Sequence, residues 1–201
     1  MVNLRAREGF TVLETMISLG LVTVLLALGA TTMTQVNKFF MLSKARFELQ
    51  QEARSIMYVM TRELRQAQNS TIVMDKCATA STITISTFTV SNVPACSVGM
   101  PPYSRVTFEK TDKTGKPEIM QFYQSNNNLY QAVWYWNSAG AAFQTKPAIN
   151  MLTSDLQYMA FSFPRSDDMT IISVSMTLQT TIYNGQFQAL HMASEKVQVM
   201  N

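Results

Sequence analysis

The chain has 201 residues, 47% of them hydrophobic and only 14% charged, with a formal net charge of +3 at pH 7. That length leaves room for one globular domain of ordinary size beside a long apolar segment, and the abundant Thr, Ser, Asn and Gln suit a β-rich extracytoplasmic domain better than a cytosolic enzyme. The charge is no nucleic-acid signature, because residues 71–201 hold eight basic and eight acidic side chains; one histidine and two cysteines leave no basis for a zinc site.

The first nine residues form a short basic stretch with Arg5 and Arg7, closing on Glu8-Gly9. Residues 10–35 follow, apolar and small-polar except for Glu14. A carboxylate on a membrane helix costs about 2.5–3.5 kcal/mol on insertion scales, so it calls for a partner of opposite sign. As a helix, residues 10–34 extend about 37 Å, enough to cross a hydrocarbon layer of about 30 Å with some tilt. Basic residues flank the segment on both sides (Arg5 and Arg7, then Lys38, Lys44 and Arg46), so flanking charge alone does not orient it. A signal peptide cleaved after residues 27–29 and a plain uncleaved anchor are the competing readings; Glu14 inside the apolar run argues against the first.

Leu42, Ala45, Leu49, Ala53, Ile56, Met60, Leu64 and Ala67 continue at spacings of three and four. No Gly or Pro interrupts residues 30–70. The periodicity predicts one continuous helix over 10–68, whose second half lays an apolar stripe on the soluble domain. Residues 36–70 hold the excess basic charge, which suits anionic lipid or neighbouring acidic helices. Within them Arg54, Arg62 and Arg65 fall on or near one side, at spacings of eight and three. They either pair with acidic residues of adjacent subunits or form a solvated face.

Beyond residue 70 the period becomes two, predicting strands over 81–90, 103–110, 118–124, 129–136, 156–163, 170–183 and 187–200. Asn126-Asn127-Asn128 and residues 112–117 read as turns, and Asn184-Gly185 as a type I′ hairpin connection. Cys77 and Cys96 either form a disulfide, closing a loop of about 20 residues and worth roughly 3 kcal/mol in the chain-entropy model, or stay as buried thiols. Alternation puts Trp134 and Trp136 on one face, as core or as an exposed partner surface. His191 reads as a strand histidine, and Asp167-Asp168 as a solvated turn short of a calcium ligand set. One amphipathic helix and antiparallel strands, with no βαβ repeat, make an α+β domain with no cofactor site.

Gly9, Phe10, Thr11, Val12, Leu13 and Glu14, set between a basic leader and an apolar helix, resemble the start of type IV prepilins and of the pseudopilins of type II secretion. The resemblance implies that prepilin peptidase cleaves between Gly9 and Phe10 on the cytoplasmic side and N-methylates Phe10. It implies a single-pass inner-membrane subunit with its N-terminus cytoplasmic and its globular domain in the periplasm, then in a filament or its tip. Glu14 would dock on the N-terminal amine of a neighbouring subunit. Residues 47–71 resemble the corresponding segment of W-type minor pilins and J-type minor pseudopilins, on Leu49-Gln50-Gln51, Ala53-Arg54 and the run from Arg62 to Ala67. Residues 154–179 resemble their closing strands more weakly, and nothing between 74 and 150 carries a likeness. Major pilins usually have a helix-breaking proline early in the mature helix; here the first proline is Pro94, which suits a minor subunit.

The implied fold is pilin-like: a long N-terminal helix, membrane-spanning in its first half, packed on an antiparallel sheet domain. The expected organisation is a leader (1–9), a membrane or filament-core helix (10–35), its amphipathic continuation (36–70) and a β-rich domain (71–201). The implied function is structural and not enzymatic: a minor pilin of the tip or priming complex. Its partners would be other minor pilins or pseudopilins, the major pilin, the peptidase and the inner-membrane assembly platform. A J-type pseudopilin of a secretion or DNA-uptake system is the alternative within the family, and a membrane-anchored periplasmic adhesin or binding module the alternative outside it.

Overall fold

In a computed structural model of the chain, the described residues are 11–75, 82–85, 88–94, 103–140, 142–165, 168–182, 185 and 187–200. Contacts divide the chain into two compact units, Met1–Lys44 and Ala45–Asn201.

In the first unit, residues from Val12 onward are helical, as the start of helix α1 (Val12–Arg65). Thr11 caps it, its hydroxyl accepting the Glu14 N–H at 3.3 Å. Every side chain from Val12 to Phe40 is exposed, on all sides of the helix. The hydroxyls here do not depend on water. Thr15, Ser18, Thr23, Thr31, Thr32 and Thr34 each donate to a helix carbonyl three or four residues back. A segment with satisfied hydroxyls and an apolar girdle is long and apolar enough to cross a membrane.

The second unit begins where burial begins. Ala45, Leu49, Ala53, Ile56, Met60 and Leu64 are buried, the stripe expected from the periodicity, with Met57, Thr61 and Glu63 widening it. The helix ends at Arg65, three residues before the predicted Gln68. The cause is competition for backbone groups: the Gln68 N–H donates to the Glu109 carbonyl at 2.8 Å, and Ala67 bridges to Lys110.

Eleven strands are found among the described residues: β1 (Val73–Asp75), β2 (Thr82–Ile85), β3 (Phe88–Ser91), β4 (Arg105–Thr111), β5 (Pro117–Ser125), β6 (Asn128–Asn137), β7 (Ala142–Phe143), β8 (Ala148–Thr153), β9 (Leu156–Ser162), β10 (Ile171–Ile182) and β11 (Phe187–Gln198). One sheet has the order β1-β4-β5-β6-β7, with β8 also paired to β6; a second is β11-β10-β9; β2 and β3 form a hairpin. All described pairings are antiparallel. With the buried helical stripe, this is the expected α+β layout.

β5 is buried on both faces from Ile119 to Gln124. Ile119 and Tyr123 join Ile83, Ile85, Val90 and Trp134 under the β2–β3 hairpin. Phe108, Met120 and Phe122 are buried on the other face. Gln124 links the two larger sheets, accepting the Met159 N–H at 3.0 Å and donating to the Gln157 carbonyl at 3.1 Å. Satisfying a buried amide this way avoids the desolvation penalty of an unpaired one.

Three strand expectations change. The run 81–90 is a hairpin, with Ile83 opposite Val90 and Ile85 opposite Phe88. Its apolar residues shift phase between Ile85 and Phe88, as a two-residue connection requires. β1, β7 and β8 were not expected at all: β1 and β7 are too short to show a period, and β8 is largely exposed. Trp134 is fully buried, but Trp136 is only half-buried, edge-on to Phe88 and Phe143. Ile182 faces Phe187 across β10 and β11, and Gly185 has φ +89°; Asn184, the other half of the expected turn, lies outside the described residues.

Candidate functional site

Two of the sequence-predicted sites fall on α1 among the described residues: Glu14 at the helix start and the arginine face further along. Glu14 stands at the third helical position, where Thr11-x-x-Glu14 has the spacing of a capping box. Only the Thr11 half of that box forms; among the described residues nothing hydrogen-bonds or ion-pairs with the Glu14 carboxylate. A purely local capping role therefore does not account for it. Gly9 and Phe10 lie outside the described residues, as do Cys77 and Cys96.

Arg54, Arg62 and Arg65 do come together. They line one wall of an open groove of about 800 Å³ in the second unit, above Met57 and Thr61. The opposite wall is the end of β11, with Ala193, Ser194 and Glu195, and Met200 closes one end by donating its N–H to the Arg65 carbonyl at 3.2 Å. Helical geometry explains the wall, since positions 54, 58, 61, 62 and 65 recur every three or four residues on one face. The face is mainly cationic: three guanidinium groups against Glu195. Arg54 and Arg65 make no ion pair among the described residues.

Arg62 differs from its neighbours because it also touches Glu63, at 2.6 Å. Glu63 is the charged residue the periodicity did not place: its side chain is 7% exposed and it also accepts Lys110 Nζ at 2.5 Å. Lys110 reaches on to Glu118 at 3.4 Å. Burial alone would raise the Glu63 carboxyl, but hydrogen bonds from Lys110 and Arg62 outweigh it and hold it below the usual value. The chain of charges ties α1 to β4 and β5.

A second pair was also missed by the sequence pattern. The Arg105 side chain, 1% exposed, grips Asp75 through Nε–Oδ1 at 2.6 Å and through Nη2–Oδ2. Those residues sit opposite each other on β4 and β1, a contact between positions thirty apart that no local motif announces.

The remaining candidates are local. His191 is half-buried on β11 opposite Leu178. Asp168 accepts the Thr170 N–H and hydroxyl, which lowers its carboxyl below the ordinary range, in a turn of the expected kind; Asp167 lies outside the described residues. Among the described residues, no group of three His, Cys, Asp or Glu side chains is placed to hold a metal ion.

Comparison of the chain with protein-family models gives no match, and comparison with curated proteins gives none.

Proposed function

We propose that the chain is a structural subunit of a type IV pilus or related filament, a minor pilin working in the tip or priming complex. Cleavage between Gly9 and Phe10 would free an amine at Phe10, and residues 10–35 would hold the subunit in the inner membrane until assembly. The observation that carries the reading is Glu14. It is a carboxylate with no partner among the described residues, in the first turn of an apolar helix exposed on every side, four residues after Phe10 of the Gly-Phe junction. Two opposite charges desolvated together cost far less than one alone, so an amine supplied by a neighbouring subunit meets the need. The basic groove at Arg54, Arg62 and Arg65 suits lateral contacts of the globular domain.

Mass spectrometry of membrane-extracted protein tests the processing: N-terminal methyl-phenylalanine at Phe10 is expected, and any other mature N-terminus overturns it. Glu14→Ala tests the docking. The variant is expected to be cleaved normally but to lose at least tenfold in co-purification with its partner subunits. Undiminished co-purification sinks the role assigned to Glu14.

A further inference from the structure

β11 is twelve residues long, forms one edge of its sheet, and pairs only with β10 among the described residues. Open edges of that length are usually blunted by proline, a bulge or dense charge. Here Glu195 and Lys196 are the only charged residues, proline is absent, and the pairing with β10 runs without a register shift from Ile171–Gln198 to Ile182–Phe187. The groove lies along this edge. Its helical wall from Arg54 to Arg65 extends about 16 Å, which accommodates about five residues of extended chain.

We propose that this groove binds an extended acidic segment of another polypeptide, which adds as a strand to the free edge of β11. The two walls ask for different things from one ligand. The β11 edge offers backbone donors and acceptors in a row, which a polypeptide backbone satisfies and a lipid headgroup or free phosphate does not. The helical wall offers guanidinium groups, which take carboxylates in paired hydrogen bonds. Side chains of an added strand alternate between faces. Acidic residues at every second position would turn towards Arg54 and Arg65, on the face of β11 that carries Ala193 and Glu195, while Nε and Nη2 of Arg62 stay with Glu63. The intervening positions would lie on the opposite face, which carries Ser194 at the groove and, bordering it, Met192, 76% exposed. The partner therefore carries alternating acidic and apolar residues. This chain has no such extended stretch, so the occupant is a different protein. The inference rests on the groove alone and does not require entry into a filament.

The test uses the full chain in a neutral detergent and a fluorescein-labelled peptide of alternating Glu and Val, six residues long. Saturable binding is expected by anisotropy, weakened at least tenfold by Arg54→Glu combined with Arg65→Glu. A Lys-Val peptide is expected not to bind. A Glu-Val peptide N-methylated at alternate residues keeps its charge but cannot pair as a strand, and is expected to lose at least tenfold. Hydrogen exchange at β11 amides is expected to slow only with the unmethylated Glu-Val peptide. Equal binding by the methylated peptide, equal binding to the double variant, or unchanged β11 exchange each overturns the proposal. Circular dichroism of the double variant confirms that lost binding is not lost folding. None of these results depends on the Glu14 experiment.

Discussion

Glu14 and Glu63 sit on the same helix, and their surroundings could hardly differ more. Around Glu14 the helix is apolar and exposed on all sides, the hydroxyls are satisfied within it, and the carboxylate stands alone among the described residues. Around Glu63 the helix buries one stripe, and the carboxylate is held by Lys110 and Arg62. The first stretch leaves its requirements to be met by something outside the chain, a bilayer or other helices. The second has them met by the fold. Charge and apolar surface together, more than helix propensity, separate a segment built for an environment from one built for a core.

The sharpest way to break the comparison is to charge the uncovered stretch. Leu21→Arg with Leu25→Arg adds about 5–7 kcal/mol to membrane insertion, at roughly 2.5–3.5 kcal/mol per central arginine. Loss of the chain from the carbonate-resistant membrane fraction is expected, with the unfolding temperature of the globular unit shifted by less than about 2 °C. A large drop in that temperature would mean the first stretch supports the fold after all.

Next comes the buried pair on β1 and β4, where the opposite pattern is expected. Arg105→Ala strips Asp75 of its partner in a strand pair that helps close the sheet. Breaking such a pair costs about 3–5 kcal/mol when both groups are buried; Asp75 keeps 30% of its side chain exposed and rehydrates in part, so about 3 kcal/mol is expected. For a unit of this size that is about 6–12 °C in unfolding temperature, with membrane association unchanged. Arg105→Met restores apolar volume and is expected to lose less.

How much of this was legible follows from the range of the interactions. The helical stripe from Ala45 to Leu64 was legible because each member is set by neighbours three or four residues away. The β2–β3 hairpin was equally local, yet 81–90 reads as one strand until the phase shift between Ile85 and Phe88 is given a turn. β8 was not, because an exposed edge strand has no buried face to impose alternation. Arg105 and Asp75 meet only after β1 has been laid on β4, and Glu63 meets Lys110 across 47 positions. The arginine spacing was readable as one face of a helix, but the β11 wall that turns it into a groove was not.

The smallest effect, and the one that sharpens the comparison most, belongs to Glu63. Its folded carboxyl titrates below the ordinary value of 4.5, so its ion pairs stabilise the fold fully above that value and lose their contribution as pH falls through the lower folded one. Glu109 acts with the opposite sign: burial raises its carboxyl, a contribution present at low pH and lost as pH rises through the raised value. Glu109 is common to wild type and Glu63→Gln, so the difference between them isolates Glu63. Because Arg62 is half exposed and Lys110 keeps Glu118, about 2 kcal/mol is expected at pH 7, or about 4–8 °C. The two unfolding curves are expected to converge once the pH lies well below 4.5. Glu14→Gln measured the same way is expected to leave the unfolding of the globular unit unchanged, since among the described residues no partner holds that carboxylate. A gap between wild type and Glu63→Gln that persists in acid would mean that Glu63 acts through shape and not charge, and the contrast between the two glutamates would then rest on burial alone.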